Sequence, residues 1–352
     1  MRVMVTGATG NVGTAVLAAL AADESVTSLV AVARRRPGDD HTDPAGAEVT
    51  WVAADVAEDD LGPHLDGVEV LVHLAWAFHP ERHADVTWAA NAVGSARVFA
   101  AAEAAGVGAI VHASSVGVYS PGPGRVVDES WPTHSRPVTA YGREKAYVER
   151  LLDAVEARDP DRRIVRMRPA FIFQRRAATE QRRIFAGPFV PRALAVPGRL
   201  PVVPLPRDLR FQAVHADDVA EAYRLAVVGE ARGPFNLAAD PIVDAGVLGE
   251  VLGARTVEVP RSVVRAGLAA AWFAHLVPTD PNLLDLFLDL PQLDTTRARD
   301  QLGWTPRRSA LDALRELLYG MAEGSGGTTP PLAPDSAGGR AHEISTGMGE
   351  RP

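Results

Sequence analysis

A chain of 352 residues, 47% of them hydrophobic, can bury a full core as one large domain or as a large domain with a smaller lobe. Its formal net charge of -8 leaves no basic surplus for the phosphates of a nucleic acid or an anionic membrane. With no cysteine it can carry no disulfide, thiolate nucleophile, cysteine zinc site or iron–sulfur cluster, which suits the cytosol.

The chain opens directly on an apolar run, with no basic leader followed by an apolar stretch and a cleavage site, so secretion is not expected. From Met1 to about Pro169 short runs rich in Val, Ile and Leu alternate with alanine-rich helical stretches. The runs are Val3 to Val5, Leu29 to Ala33, Val49 to Val52, Val70 to Leu74, Ala109 to Ala113 and Ile164 to Met167. Such alternation predicts an α/β fold: a doubly wound, Rossmann-type parallel sheet with helices on both faces. After Pro169 scattered prolines, an isolated strand at Phe211 to Val214 and a helix at Asp217 to Val228 predict a smaller, less regular lobe. The apolar stretch Val263 to Val277 contains Arg265 and His275 and falls short of the roughly 20 residues that span a bilayer, so it reads as a surface or lobe helix. From about Gly324 the composition turns polar and rich in Gly and Pro, and disorder is expected. The predicted organisation is a nucleotide-binding domain over 1–169, a substrate lobe over 170–323 with segments returning to the first domain, and a tail over 324–352.

Where the first strand meets the first helix lies Gly7-Ala8-Thr9-Gly10-Asn11-Val12-Gly13. Gly7 permits a tight turn, Gly10 lets the backbone approach a pyrophosphate, and Gly13 lets the helix pack against the strand. The free N–H groups of the helix N-terminus then face phosphate. At the end of the second strand, where an NAD-preferring fold places a carboxylate for the ribose hydroxyl, stands Ala33, followed by Arg34 and Arg35. Two guanidinium groups suit a 2′-phosphate, so NADP(H) is the expected cofactor over NAD(H). Three arginines after a strand also read as a solvated loop, with Asp39 or Asp40 able to curl back towards the ribose.

Tyr141 and Lys145 are four residues apart in a segment, Tyr141 to Ala157, that favours helix, so their side chains share a face. A tyrosine acting as a base near neutrality needs its ordinary pKa of about 10 lowered by roughly 3, about 4 kcal/mol of differential stabilisation, and a nearby cation typically supplies about 1–3 of this. Ser115, in the run Ile110 to Ser115, falls at the C-terminal edge of the sheet and can bond a substrate oxygen. Taken singly, each feature has an ordinary structural reading, since Tyr-x-x-x-Lys occurs by chance in helices and a serine pair commonly ends a strand.

In order along the chain, the glycine turn, Asp55-Val56, His73-Leu74-Ala75-Trp76, Ser114-Ser115-Val116-Gly117-Val118-Tyr119 and Tyr141 with Lys145 resemble the extended short-chain dehydrogenase/reductase family. The resemblance is to its branch of NAD-dependent epimerases and dehydratases, which includes nucleoside-diphosphate-sugar enzymes, and runs from Met1 to roughly Met321. It implies that Ser115, Tyr141 and Lys145 are catalytic, with Tyr141 exchanging a proton with a substrate hydroxyl or carbonyl as hydride is transferred. It implies cofactor contacts from Gly7, Thr9, Gly10, Asn11, Val12, Gly13, Arg34, Arg35, Asp55, Val56, Leu74, Ala75, Trp76, Asn91, Tyr141, Lys145 and Pro169, and substrate contacts from Ser115 and Arg210. The later runs Arg210 to Ala220 and Leu302 to Pro306 fit the same family. It also implies a homodimer paired through two helices, here Ala89 to Ala105 and Tyr141 to Ala157.

Two departures bear on the substrate. The stretch Arg168 to Phe173 replaces an asparagine-bearing stretch of sugar epimerases, and their later arginine has no counterpart. Phe171, Ile172 and Phe173, with Trp76 and Phe78, read first as core and second as the wall of a pocket for an apolar carbonyl compound. A nucleoside-diphosphate sugar and an apolar hydroxyl or carbonyl compound are thus the two substrate expectations, and a non-catalytic dinucleotide sensor is the alternative from another class. His73, His79 and His83 have only the spacing of metal ligands, and no metal is expected.

Overall fold

The computed structural model describes residues 1–78, 84–186 and 191–334. Seven parallel strands form its main sheet: β1 (Arg2–Thr6), β2 (Ser28–Ala33), β3 (Glu48–Ala53), β4 (Val70–His73), β5 (Ala109–Ala113), β6 (Arg163–Pro169) and β7 (Gly233–Leu237), in the order β7-β6-β5-β4-β1-β2-β3. The six apolar runs become six of these strands. β7 returns from beyond Pro169 to pair with β6, Gly233 opposite Val165. Its apolar side chains are few, so periodicity did not mark it as a sheet strand.

Alternate side chains divide the core between the two faces. Val3 and Val5 pack on one side with Val16 and Leu20 of helix α1 (Asn11–Ala21), while Met4 packs on the other with Val98 and Phe99 of α2 (Gly94–Ala104) and Leu152 of α3 (Ala140–Arg158). Helix α4 (Ala216–Val228) completes the first face through Val219 and Tyr223. Trp304 is fully buried there, its indole N–H donating to the Asp218 carbonyl at 2.7 Å, and the Asp218 carboxylate accepts from the backbone N–H groups of Arg307 and Arg308 at 3.0 Å each. The C-terminal signature therefore anchors the end of the chain to α4.

The smaller lobe contains a three-stranded sheet of Phe171–Phe173, Arg210–His215 and Ala239–Asp244, and a parallel pair of Val202–Pro206 with Arg255–Val259. The apolar stretch after Pro260 forms the helix Arg261–Phe273, none of whose residues is fully buried. Residues 324–334 depart from the expected free tail. The Thr329 hydroxyl donates to the Thr9 carbonyl at 2.8 Å, and Thr329 and Leu332 are each 1% exposed, because a short apolar segment finds a groove beside the glycine turn. Residues 335–352 lie outside the described residues. Strand order reverses between β4 and β1, the place in a doubly wound sheet where a crevice opens at the carboxyl ends of the strands.

Candidate active site

The glycine turn leaves the carboxyl end of β1 and opens α1. Gly7 has φ of 70°, and a Cβ there would stand 2.7 Å from the Ala75 backbone, so both conformation and space require glycine. A Cβ on Gly13 would stand 2.2 Å from the Gly7 carbonyl oxygen. At Gly10 the nearest atom would be 3.4 Å away, so the absence of a side chain there serves the open cavity, which Gly10 lines. A backbone surface left bare at a helix N-terminus fits the pyrophosphate of a dinucleotide. Asn11 ties this turn to the smaller lobe: Gln174 Nε2 donates to its carbonyl and its Oδ1, both at 2.7 Å. Sequence reasoning missed Gln174, whose partner lies 163 residues away.

One cavity of about 370 Å³ runs from this turn into the smaller lobe. Gly7, Thr9, Gly10, Asn11, Val12 and Gly13 line one end, joined by Arg34 and Arg35 beyond β2, Asp55 and Val56 beyond β3, Leu74, Ala75 and Trp76 beyond β4, and Pro169 at the end of β6. Arg34 and Arg35 are exposed. Ser115, Tyr141 and Lys145 line its middle.

Tyr141 and Lys145 occupy the first turns of α3, one helical turn apart, and Ser115 follows β5. Ser115 Oγ accepts from Gly117 N–H at 3.0 Å and stands beside the Tyr141 side chain. Gly117 is needed where the chain passes this pair, since a Cβ there would lie 2.8 Å from the tyrosine ring. Lys145 Nζ donates to the Ala113 carbonyl at 2.7 Å and lies 3.4 Å from the centroid of the Trp76 ring. Burial pushes the Tyr141 phenol up to about 12, with the neighbouring Ser115 hydroxyl offsetting part of the rise. Burial also brings the Lys145 ammonium down to about 7, against the pull of Glu144 and Glu149. The expected lowering of Tyr141 by Lys145 is therefore reversed in sign: desolvation of the phenol dominates, and the ammonium is directed to Ala113 and Trp76.

A buried ion pair beneath the site escaped the sequence reading. Glu149 follows Lys145 by four residues, and its carboxylate accepts from Arg168 at 2.6 and 2.8 Å and from the Ser114 hydroxyl at 2.6 Å. Burial alone would raise the Glu149 carboxyl, but Arg168 and Ser114 hold it below its ordinary value. The pair locks α3 to β6 and to the residue before Ser115. The 141/145/149 spacing was the available signal.

Two expected site residues do not reach the cavity. Asn91 is 1% exposed; its Oδ1 accepts from Ala77 N–H at 2.7 Å and its Nδ2 donates to Glu144 at 2.7 Å, so it braces the segment carrying Trp76 against α3. Arg210 is exposed on a strand of the smaller lobe, paired across from Asp244, and does not line the cavity. His73 is buried between the Thr6 and Ser95 hydroxyls at 2.8 and 2.9 Å, and burial pushes it down to about 3. His79 and His83 lie outside the described residues.

Beyond Tyr141 the wall is aromatic. Phe78 stands edge-on to the tyrosine with ring centroids 5.0 Å apart, Phe185 lies 5.7 Å from Phe78, Phe287 lies 6.1 Å from Phe185, and Phe171 lies 5.0 Å from Phe287. All four line the cavity and all are only part-buried. Phe171, Ile172, Phe173, Trp76 and Phe78 are therefore cavity wall instead of closed core.

The reversed strand order, the glycine turn at the end of β1 and a cavity at the carboxyl edge of the sheet define a Rossmann-type α/β enzyme. The chain belongs to the NAD dependent epimerase/dehydratase family, which residues 3–238 match. It is 26% identical to an uncharacterised protein of Mycobacterium tuberculosis, over 99% of this chain and 91% of that one. It is 29% identical to the UDP-glucose 4-epimerase of Mycolicibacterium smegmatis, over 90% and 97% of the two chains. It is also 26% identical to the decarboxylating sterol-4-alpha-carboxylate 3-dehydrogenase of Saccharomyces cerevisiae, over 72% and 77%. In fold it is similar to MoeE5, solved in complex with UDP-glucuronic acid and NAD, with a TM-score of 0.67 at 22% identity over 92% of this chain and 99% of that one.

Proposed function

We propose that this enzyme oxidises a secondary hydroxyl or reduces the corresponding carbonyl, with Tyr141 as the acid–base group, Ser115 as the group that orients the reacting oxygen, and Lys145 as the amine one helical turn from Tyr141 in the same catalytic set. The observation that carries the reading is that Ser115, Tyr141 and Lys145 line the same cavity as the glycine turn. When bound, a nicotinamide dinucleotide supplies or takes up hydride. Gly7, Thr9, Gly10, Asn11, Val12 and Gly13 hold its pyrophosphate, with Asp55 and Val56 at the adenine and Leu74, Ala75, Trp76 and Pro169 along its length.

With its pKa raised, Tyr141 keeps its proton at neutral pH and is an acid ready to protonate a carbonyl oxygen. The Ser115 hydroxyl stabilises charge on that oxygen, a role whose removal typically costs about 2.7–4 kcal/mol. Arg34 and Arg35 support a preference for NADP(H), because both line the cavity where β2 ends without a carboxylate. A homodimer in the cytosol completes the proposal.

Native mass spectrometry of the purified protein, followed by parallel NADPH and NADH titrations and by Tyr141→Phe, tests it. Tyr141→Phe is expected to abolish turnover and retain dinucleotide affinity; retained turnover overturns the role of Tyr141. A stoichiometric co-purified dinucleotide favours an epimerase or dehydratase that recycles it, whereas empty protein favouring NADPH indicates a reductase. Equal affinity for the two cofactors removes the role given to Arg34 and Arg35.

A further inference from the structure

The half of the cavity beyond Tyr141 is built for an apolar molecule. Phe78 comes from the segment after β4, Phe171 from the strand after Pro169, Phe185 from the helix Ala178–Ala186, and Phe287 from the helix Pro281–Leu288. Four separate parts of the chain thus bring aromatic rings to one wall, and Leu286 and Leu290 continue it. A ring that serves only as core is closed over by its neighbours; these four keep part of their surface open to the cavity that also contains Tyr141 and Ser115. From Tyr141 the ring-to-ring steps are 5.0, 5.7, 6.1 and 5.0 Å, a wall longer than one six-membered ring.

The charges are distributed in the same sense. A nucleoside diphosphate needs cations or backbone donors at its phosphates. Among the described residues lining the cavity, the cations are Arg34 and Arg35 beyond β2 and Lys145, whose ammonium is directed to Ala113 and Trp76.

We infer that the substrate is a secondary alcohol or ketone on a rigid apolar skeleton of more than one ring, seated against Phe78, Phe185, Phe287 and Phe171 with its oxygen at Ser115 and Tyr141. This rests on the proposed function for the position of the oxygen, and on the aromatic wall for the rest of the molecule. Burial of the skeleton against the part-open aromatic rings provides the affinity, and the two hydroxyls provide orientation.

Isothermal titration calorimetry on the full chain separates the two readings. The probes are progesterone as a tetracyclic ketone, decalone as a bicyclic one, UDP-glucose, and NADPH. At least one ketone is expected to bind, UDP-glucose neither to bind nor to displace it, and Phe287→Asp to weaken the ketone by about tenfold or more with NADPH affinity unchanged. Phe287→Leu, which keeps the wall apolar, is expected to lose much less and guards against a folding defect in the aspartate variant. Binding of UDP-glucose without the ketones, or ketone binding indifferent to Phe287→Asp, overturns the inference. Protein that binds NADPH and neither ketone loses the apolar site but keeps the redox reading; protein that binds a ketone and no dinucleotide does the reverse.

Discussion

Tyr141 shows how strongly its surroundings decide what one residue can do. Four residues separate it from Lys145, and that spacing alone suggested a phenol made more acidic by a neighbouring ammonium. Burial instead moves both groups towards their neutral forms, the phenol up to about 12 and the ammonium down to about 7. If Tyr141 has the acid–base role proposed for it, its raised pKa makes it a proton donor at neutral pH and gives its two directions of use opposite pH dependence. Reduction requires the protonated phenol, which persists throughout the neutral range and is lost only as pH rises towards 12. Oxidation requires the phenolate, whose fraction grows with every increment of pH below that value. With saturating reduced cofactor, the Tyr141-dependent reduction rate is expected to stay level from about pH 8, above the titration of Lys145 near 7, to about pH 9, while with saturating oxidised cofactor the oxidation rate rises over the same span. Stopped-flow measurements in both directions check this; a reduction rate that collapses between about pH 8 and about pH 9 would mean that another group donates the proton.

At the scale of elements, the strands and the glycine turn were legible because buried parallel strands are continuous apolar runs, and because glycine is the residue that both φ of 70° at Gly7 and the contact beneath Gly13 require. What could not be read came from distant partners. Gln174 reaching Asn11 and the Phe185 and Phe287 part of the aromatic wall depend on how the smaller lobe folds back, Asn91 reaching Glu144 on how two helices of the first domain pack, and no local period encodes either. The C-terminal strap is the clearest case. Its glycines and prolines read as disorder, yet Thr329 donates to the Thr9 carbonyl inside the glycine turn, and Pro331 lines the cavity. A single hydrogen bond of this kind contributes about 0.5–1.5 kcal/mol net. Thr329→Val, which keeps the shape and removes the donor, is expected to weaken dinucleotide binding several-fold, read by fluorescence titration alongside the melting temperature. Unchanged affinity would mean that the turn holds its shape without the strap.

At the scale of the whole molecule, two helical apolar surfaces among the described residues would give different assemblies. One is formed by Val86 and Val93, 50% and 45% exposed, with Tyr147 of α3, whose ring packs 4.8 Å from Trp88. The other lies on the helix Arg261–Phe273, where Val263 and Phe273 are 57% and 70% exposed. Arg261 and Arg265 of that helix both pair with Asp285, on the helix that carries Phe287, so the second surface backs the substrate wall. Pairing through the first surface would join copies along the helix bearing Tyr141 and Lys145, stiffening the segment whose exact placement the chemistry needs; pairing through the second would cover the outside of the substrate lobe instead. The helices expected to pair are those of the first surface, so light scattering is expected to give a dimer mass for the unaltered chain. Val93→Glu combined with Tyr147→Glu should yield a monomer that still binds dinucleotide, because neither residue lines the cavity. Phe273→Glu should leave the dimer intact. If Phe273→Glu dissociates it and the double variant does not, the contact lies on the substrate lobe; if the unaltered chain is monomeric, neither surface pairs copies of this protein.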